Sequence, residues 1–518
     1  MNTVKHRTNL PAWLCLSFII CGYLLFLYRL GDRELWSSHE ARAAQNAQTV
    51  LDSGDWLLPK RFDDQPELQK PPMYYWLVAV LGWSMGGNVD SLAERLPAAL
   101  SAFATIAILV FSFRARPVVA VGAAIVLATM QHFTWIGRTG RIDVPLTFAV
   151  TAATLGLRSN RWGGHLAGYL ALAFAVLLKG PIGSVLVIAV LAADSFTRAR
   201  NEERPRTWWW GIPLVLALTV PWFVAVHWRT GGEFTRVFFW YHHVQRATGG
   251  AESLATHPWW TYFVRVLVDT LPWSPLLLVA IWTSLRSSWL REDADARLGF
   301  VWFTMMLALL SLSKFKRADY LLPAYPGMAI MLGCWLDRPE ILRRWSVAGR
   351  QRALAAFLAG AAAVWIVLLH TVIDRMNGER IKSSFAFAIR SWAPWPNEVL
   401  LFRVEDHLLG YHLGRPLNSF LEWENLNVWA GRLGPHFVVM PADCASQWRQ
   451  YISSGRLEEL ARYTDRTDRD RPRDLVLVRT IPNDGSDAQR PPAATNLARG
   501  DQRAAAVPQP GGGADGDR

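Results

Sequence analysis

The chain has 518 residues, 51% of them hydrophobic, with 27 tryptophans and 24 phenylalanines, and only 19% are charged, below the roughly 25% of an ordinary soluble protein. Its net charge of +12 would suit nucleic acid, but the basic residues sit in short loops between apolar runs of about 20 residues, which sets that partner aside and marks a polytopic membrane protein. Four cysteines, Cys15, Cys21, Cys334 and Cys444, show neither metal-ligand spacing nor a disulfide framework.

Lys5-His6-Arg7 ahead of the apolar stretch Trp13–Leu30 resembles a signal peptide. The apolar part is too long and no small-residue cleavage site follows, so it reads as a retained first span. Spans are expected near 11–30, 92–113, 117–135, 143–157, 165–178, 180–197, 208–228, 266–285, 297–313, 319–336 and 352–373. Leu77–Gly82 is expected to lie in the interface rather than cross. With the N-terminus inside, the arginine-rich loops 114–116, 158–165, 198–206, 286–297 and 337–352 all face the cytoplasm, as the orientation rule requires. The motif-bearing segments 31–91, 136–142, 179–180, 229–265 and 314–318 then face outward. The expected fold is an α-helical polytopic membrane protein of roughly 11–13 spans, in residues 1–380, with 31–91 as its first outer loop. After His370 short β-type runs alternate with amphipathic stretches (Glu398–Phe402, Glu405–His412, His436–Met440, Ala442–Ile452, Leu475–Val478), giving a small extracytoplasmic α/β domain over 381–481. The Pro-, Ala-, Gly- and Asp-rich tail 482–518 is expected to be disordered.

The polar groups of interest lie in the outward segments. Between Gly31 and Trp76, Ser37 or Ser38 can cap a helix whose first turn holds Glu40. Pro71-Pro72 opens a second segment and keeps Lys70 extended, so that His39, Glu40, Arg42 and Lys70 form a polar platform beside a membrane. Asp143 stands at the mouth of an apolar helix, where it either caps or serves a site together with Arg138 and Arg141. Lys179-Gly180-Pro181 interrupts an apolar run; a lysine at that depth snorkels or finds an anion. Further on come Trp240-Tyr241-His242-His243-Val244-Gln245-Arg246, and then Ser313-Lys314-Phe315-Lys316-Arg317, a cation cluster suited to a phosphate or pyrophosphate.

Trp36-x-x-His39-Glu40-Ala41-Arg42, Ser53-Gly54-Asp55-Trp56 and Lys70-Pro71-Pro72-x-x-x-Trp76, in that order, resemble the first extracytoplasmic loop of the bacterial lipid-linked-sugar glycosyltransferases. This is the GT-C-type family of the lipid A aminoarabinose transferase and the protein O-mannosyltransferases. The resemblance continues through Arg141-x-Asp143-x-Pro145, Lys179-Gly180-Pro181, the His242 and Arg246 loop and the Ser313–Pro323 segment. It implies an inner-membrane enzyme that moves a sugar, with inversion, from a polyprenyl-phosphate donor to an extracytoplasmic acceptor (a lipid A-like glycolipid, a protein or another glycan). Arg42, Lys70, Arg246, Lys314 and Arg317 would hold the donor phosphate, and Asp143 would orient the acceptor or assist the base. Family members carry two acids where this chain has His39-Glu40, the first being the base. The base is therefore His39 or Glu40, with Glu40 preferred because a histidine in place of an acid can serve as a hydrogen-bonding support. The resemblance also brings a divalent metal ion, with His242 as candidate ligand. The glutamate that precedes the lysine in aminoarabinose transferases is Gln69 here, and a neutral amide is a weaker ligand. No Gly-rich nucleotide fingerprint offers a cradle for a nucleotide sugar. A flippase or transporter of lipid-linked sugars would place ionisable groups near the midplane and usually show internal repeats; a non-catalytic scaffold would not need outward cations around a carboxylate.

Overall fold

Inside a bilayer every backbone N–H and C=O must be satisfied within its own segment, so the apolar runs fold as helices. The computed structural model describes residues 12–198, 209–245, 256–338, 346–379, 382–404, 406–465 and 472–482. Among these residues five helices are long and apolar enough to cross a membrane, and up to seven if each of two bent pairs counts as one span. Ser91–Ser112, Trp162–Lys179, Gly211–Arg229 and Ala294–Ser311 are four of the five, and Trp13–Leu27 and Pro181–Thr197 are shorter apolar helices. The chain is a multi-pass membrane protein.

Two expected straight spans are broken. Pro117–Ala128 and Gln131–Gly137 meet at 68°, and Thr261–Asp269 and Ser274–Leu285 at 120°. The second break coincides with Pro272, which cannot continue a helix; the first carries no such signal. The breaks satisfy each other's polar groups: the Gln131 N–H donates to the Leu271 carbonyl (2.9 Å) and the Trp273 indole to the Thr129 hydroxyl (2.9 Å). The piece expected over Leu77–Gly82 is a longer helix, Met73–Ser84, entered through Pro72. Elsewhere small residues bring backbones together: a Cβ on Gly122 would stand 3.2 Å from the Gly333 Cα.

The chain divides into two units by contact, one of Met1–Arg33, Val50–Pro59 and Glu67–Ile373, the other of Glu34–Thr49, Lys60–Pro66 and Asp374–Arg518. In the first, charged side chains gather at opposite ends of the same helices. At one pole Arg116 holds Asp293 (2.8 Å), Asp295 and Asp337 (both 3.2 Å), while Asp194 takes Arg158 (3.4 Å) and Arg198 (2.5 Å). These residues come from, or border, the loops expected to be cytoplasmic. The other pole gathers the segments expected to face outward.

The second unit contains a five-stranded sheet in the order β2-β1-β3-β5-β4. β1 (Val399–Phe402), β2 (Asn418–Phe420) and β3 (His436–Pro441) pair in parallel. β5 (Arg473–Pro482) runs antiparallel between β3 and β4 (Gly455–Asp465). The helix Ser383–Trp392 packs Phe385, Ala386 and Ile389 against Val399, Leu401, Phe437, Val439 and Leu477; Trp423, Leu426 and Trp429 pack with Leu400, Phe402, Val438 and Val476. Burying both faces of β1 and β3 explains their unbroken apolar runs.

Candidate functional site

At the first unit's second pole, four segments far apart in sequence converge. Asp143 opens the helix Asp143–Arg158 but makes no capping bond; its carboxylate pairs instead with the Lys179 ammonium. Lys179 ends its helix at Gly180, whose φ of 74° turns the chain sharply into Pro181. The same ammonium lies 4.1 Å from the Tyr320 ring centroid. Arg141 pairs with Asp319 at 3.2 Å. His132 stands between two buried carboxylates, 3.5 Å from Asp319 and 3.9 Å from Asp269. Asp269 also faces Arg265 at 2.8 Å and accepts from the Tyr325 hydroxyl at 2.8 Å. His132 and Asp269 thus join the two bent spans at their breaks and tie both to the segment that starts at Asp319.

The cation loop is held by its backbone. The Tyr262 hydroxyl donates to the Arg317 carbonyl (2.9 Å) and accepts from the Arg317 N–H (3.2 Å). The His257 N–H donates to the Lys314 carbonyl (2.9 Å). Lys316 turns inward and is buried, its ammonium donating to the carbonyls of His257 (3.2 Å) and Ser313. Of the pole's cations, Arg141, Lys179 and Arg265 each face a carboxylate. Among the described residues no carboxylate pairs with Lys314, which is exposed, or with Arg317, which is half-buried. Among the described residues this loop therefore carries surplus positive charge. Lys70 is half-buried, and its charge and that of Arg141 act on Asp143. Arg138 serves the backbone instead. It donates to the Leu25 (3.1 Å) and Tyr28 (2.7 Å) carbonyls, capping the end of the first span.

The other candidates belong to the second unit. Ser37 closes the helix Ser38–Ser53 with a capping box: its hydroxyl accepts the Glu40 N–H (3.2 Å), and the Glu40 carboxylate reaches back to the N–H groups of Trp36 (3.0 Å) and Ser37 (3.4 Å). Glu40 is fully buried, while His39 and Arg42, neighbours on one helix face, are both half-exposed. The structure therefore gives the preferred base, Glu40, the work of holding the helix start. His242 lies in the π-helical segment Arg236–Gln245, with its side chain outside the described residues, as is all of Arg246. Among the described residues no group of three His, Cys, Asp or Glu side chains is arranged to hold a divalent ion, and Gln69 contributes only an amide.

His132, Asp269, Arg265 and Tyr262 escaped the sequence reading. Their signal was present, since an ionisable residue within an apolar run points to a partner or a site.

A family model described as dolichyl-phosphate-mannose-protein mannosyltransferase matches residues 69–224. The undecaprenyl phosphate-alpha-4-amino-4-deoxy-L-arabinose arabinosyl transferase of Shewanella sediminis is 31% identical over 344 residues, 63% of this chain and 60% of that protein. The enzyme of the same name from Pectobacterium carotovorum is 30% identical over 331 residues, covering 61% and 57%. The chain thus spans about 60% of the length of the Shewanella relative. A crystal structure of ArnT from Cupriavidus metallidurans bound to undecaprenyl phosphate superposes with a TM-score of 0.74 at 19% identity, over 93% of this chain and 99% of that one. The apo oligosaccharyltransferase of Archaeoglobus fulgidus gives a TM-score of 0.55 at 13% identity, over 84% and 71%. At such identities these two likenesses establish the fold alone.

Proposed function

We propose that this chain, similar to the bacterial lipid A aminoarabinose transferases over about 60% of its length, moves a sugar from a polyprenyl-phosphate donor to an acceptor outside the cytoplasm. Residues 1–380 form the transferase part and 381–481 the α/β domain. The site works at the outer face of the inner membrane. The donor class follows the relatives, which are named for an undecaprenyl-phosphate sugar; the acceptor is a glycolipid of the lipid A kind, a protein or another glycan.

The observation that carries the proposal is the pair Lys314 and Arg317, which face no carboxylate among the described residues at a pole where Arg141, Lys179 and Arg265 each face one. A lipid phosphate supplies the missing charge at the depth where a prenyl tail enters the bilayer. Lys70, Arg42 and Arg246 complete the set proposed for the phosphate.

In the reaction an acceptor hydroxyl loses its proton to the His39 imidazole, a base suited to neutral pH. Its oxygen attacks the anomeric carbon as the bond from that carbon to the phosphate oxygen breaks. The electron pair leaves on the phosphate, where the cations stabilise the gathering charge. One displacement inverts the sugar. Glu40 keeps the helix start in shape, and Asp143, paired with Lys179, orients the acceptor. A flippase is disfavoured because the described ion pairs lie at the helix ends.

Titration of the solubilised protein with undecaprenyl phosphate tests the assignment. Lys314→Ala and Arg317→Ala should each weaken binding by the worth of a charge-assisted hydrogen bond, about 1.5–3 kcal/mol. Unchanged affinity in both variants, and in their double, would remove the phosphate site from this loop.

A further inference from the structure

We propose that Glu34 is a positioning residue for the helix that carries His39, and that the α/β unit thereby serves the reaction as the mount of its base; this rests on His39 being that base. Six residues ahead of Glu40, the Glu34 carboxylate accepts hydrogen bonds from the Ser383 hydroxyl and from the Lys382 N–H (3.2 Å). These groups begin the ten-residue helix Ser383–Trp392, whose positive end favours a carboxylate. The His412 Nε2 stands 3.5 Å from the same carboxylate. The backbone N–H of Glu34 donates to Asn377 Oδ1 (3.1 Å), which also receives the Trp36 indole N–H (3.2 Å). Trp36 in turn gives its own N–H to Glu40. Five residues further along, Gln45 donates to the His407 carbonyl (2.7 Å). The segment from Glu34 to Gln45, including His39, is therefore fastened to residues after Asp374 at its entry, through Glu34 and Trp36, and at its middle, through Gln45.

The far side of this attachment is rigid. Lys382, buried, is held by Asp406 (2.7 Å) and Asp465 (3.1 Å). Asp406 also caps the His407–Leu413 helix through the Leu409 N–H (2.9 Å). Phe385, Ala386 and Ile389 of the Ser383 helix belong to the sheet's core. A carboxylate fixed to that helix is fixed to the sheet, and the sheet fixes where the His39 helix begins.

Amide hydrogen exchange on the full-length protein, together with binding of undecaprenyl phosphate, tests the proposal. Glu34→Ala should speed exchange of the slow amides in 38–49 and 383–392 by roughly tenfold or more. Glu34→Gln, which keeps one acceptor, should give a smaller rise, and Ser383→Ala should raise the same two segments. Exchange in 261–325 should stay as in the parent protein and affinity for undecaprenyl phosphate should fall by no more than Arg42, on the same helix, contributes, whereas turnover with an undecaprenyl-phosphate aminoarabinose donor should fall further, mainly through kcat. Parent-like exchange in 38–49 in both Glu34 variants would overturn the proposal. So would equal loss of phosphate affinity and kcat, which is what general unfolding produces. His39→Ala separates this proposal from the reading beneath it: full turnover in that variant would remove the base while leaving the exchange result to judge Glu34.

Discussion

Glu40 spends its described hydrogen bonds on the start of its helix. Two backbone N–H groups end on its carboxylate and its own N–H ends on Ser37, which is how a helix start satisfies donors that have no partner within the helix. Glu40→Gln, still able to accept, should therefore keep most turnover, while Glu40→Ala should destabilise the protein by about 0.5–2 kcal/mol in a denaturation experiment. His39→Gln should abolish turnover with phosphate binding intact. Loss of turnover in Glu40→Gln with full activity in His39→Gln would reverse the two roles. The capping box was legible because Ser37 and Glu40 are three residues apart, a purely local pattern. The Asp143–Lys179 pair, 36 residues apart, was not. Each residue could be singled out as polar at a helix end, but their meeting is decided by how the helices pack.

At the scale of elements, the two breaks work as one joint, with the Leu271 carbonyl, the Thr129 hydroxyl and the His132 imidazole engaged across them. His132→Phe keeps a ring of similar shape and removes every polar contact, leaving Asp269 and Asp319 buried beside a missing partner. It should lower thermal stability and weaken undecaprenyl phosphate binding through the Asp319–Tyr320 segment; normal values of both would show that the joint is not needed. Strands β1, β3 and β5 were readable as apolar runs. β2 was missed because it has three residues, and β4 because it is an edge strand studded with Arg456, Glu458, Glu459 and Arg462, the composition that keeps an edge from pairing with other chains. The same unit should respond to pH. Burial holds the His412 imidazole below its ordinary 6.5, with Lys382 and Arg390 adding to that effect while Glu34 and Asp406 oppose it. The unfolded chain then takes up the proton first as pH falls through about 6.5, so the unit loses stability below that pH. His412→Gln should flatten this decline; an unchanged profile would mean that His412 does not titrate between the two states.

For the whole molecule, alternate loops gather at opposite poles of the helical unit, the pattern that the arginine-rich loops implied. A cysteine at Ser53 should react with an impermeant reagent in cells whose outer membrane admits it, and one at Ser287 should not; the reverse would invert the protein. What the sequence could not disclose is that Glu34–Thr49 associates with residues after Asp374, because more than 300 residues separate the partners of the Glu34–Asn377 bond. The likeness to the aminoarabinose transferases, the cations Lys314 and Arg317 and the mounting of His39 all bear on one claim, that a polyprenyl-phosphate sugar is consumed by a single displacement. Its most direct measurement is incubation of the purified protein with polyprenyl-phosphate sugars of known anomeric configuration, α-linked undecaprenyl-phosphate aminoarabinose among them, and with glycolipid, protein or glycan acceptors, following the anomeric configuration of the product by NMR and the release of the polyprenyl phosphate. Stoichiometric release from one of these donors is expected, with a product of the opposite anomeric configuration. Release with retention would contradict the single displacement, and transport of the intact donor without release would contradict the enzyme.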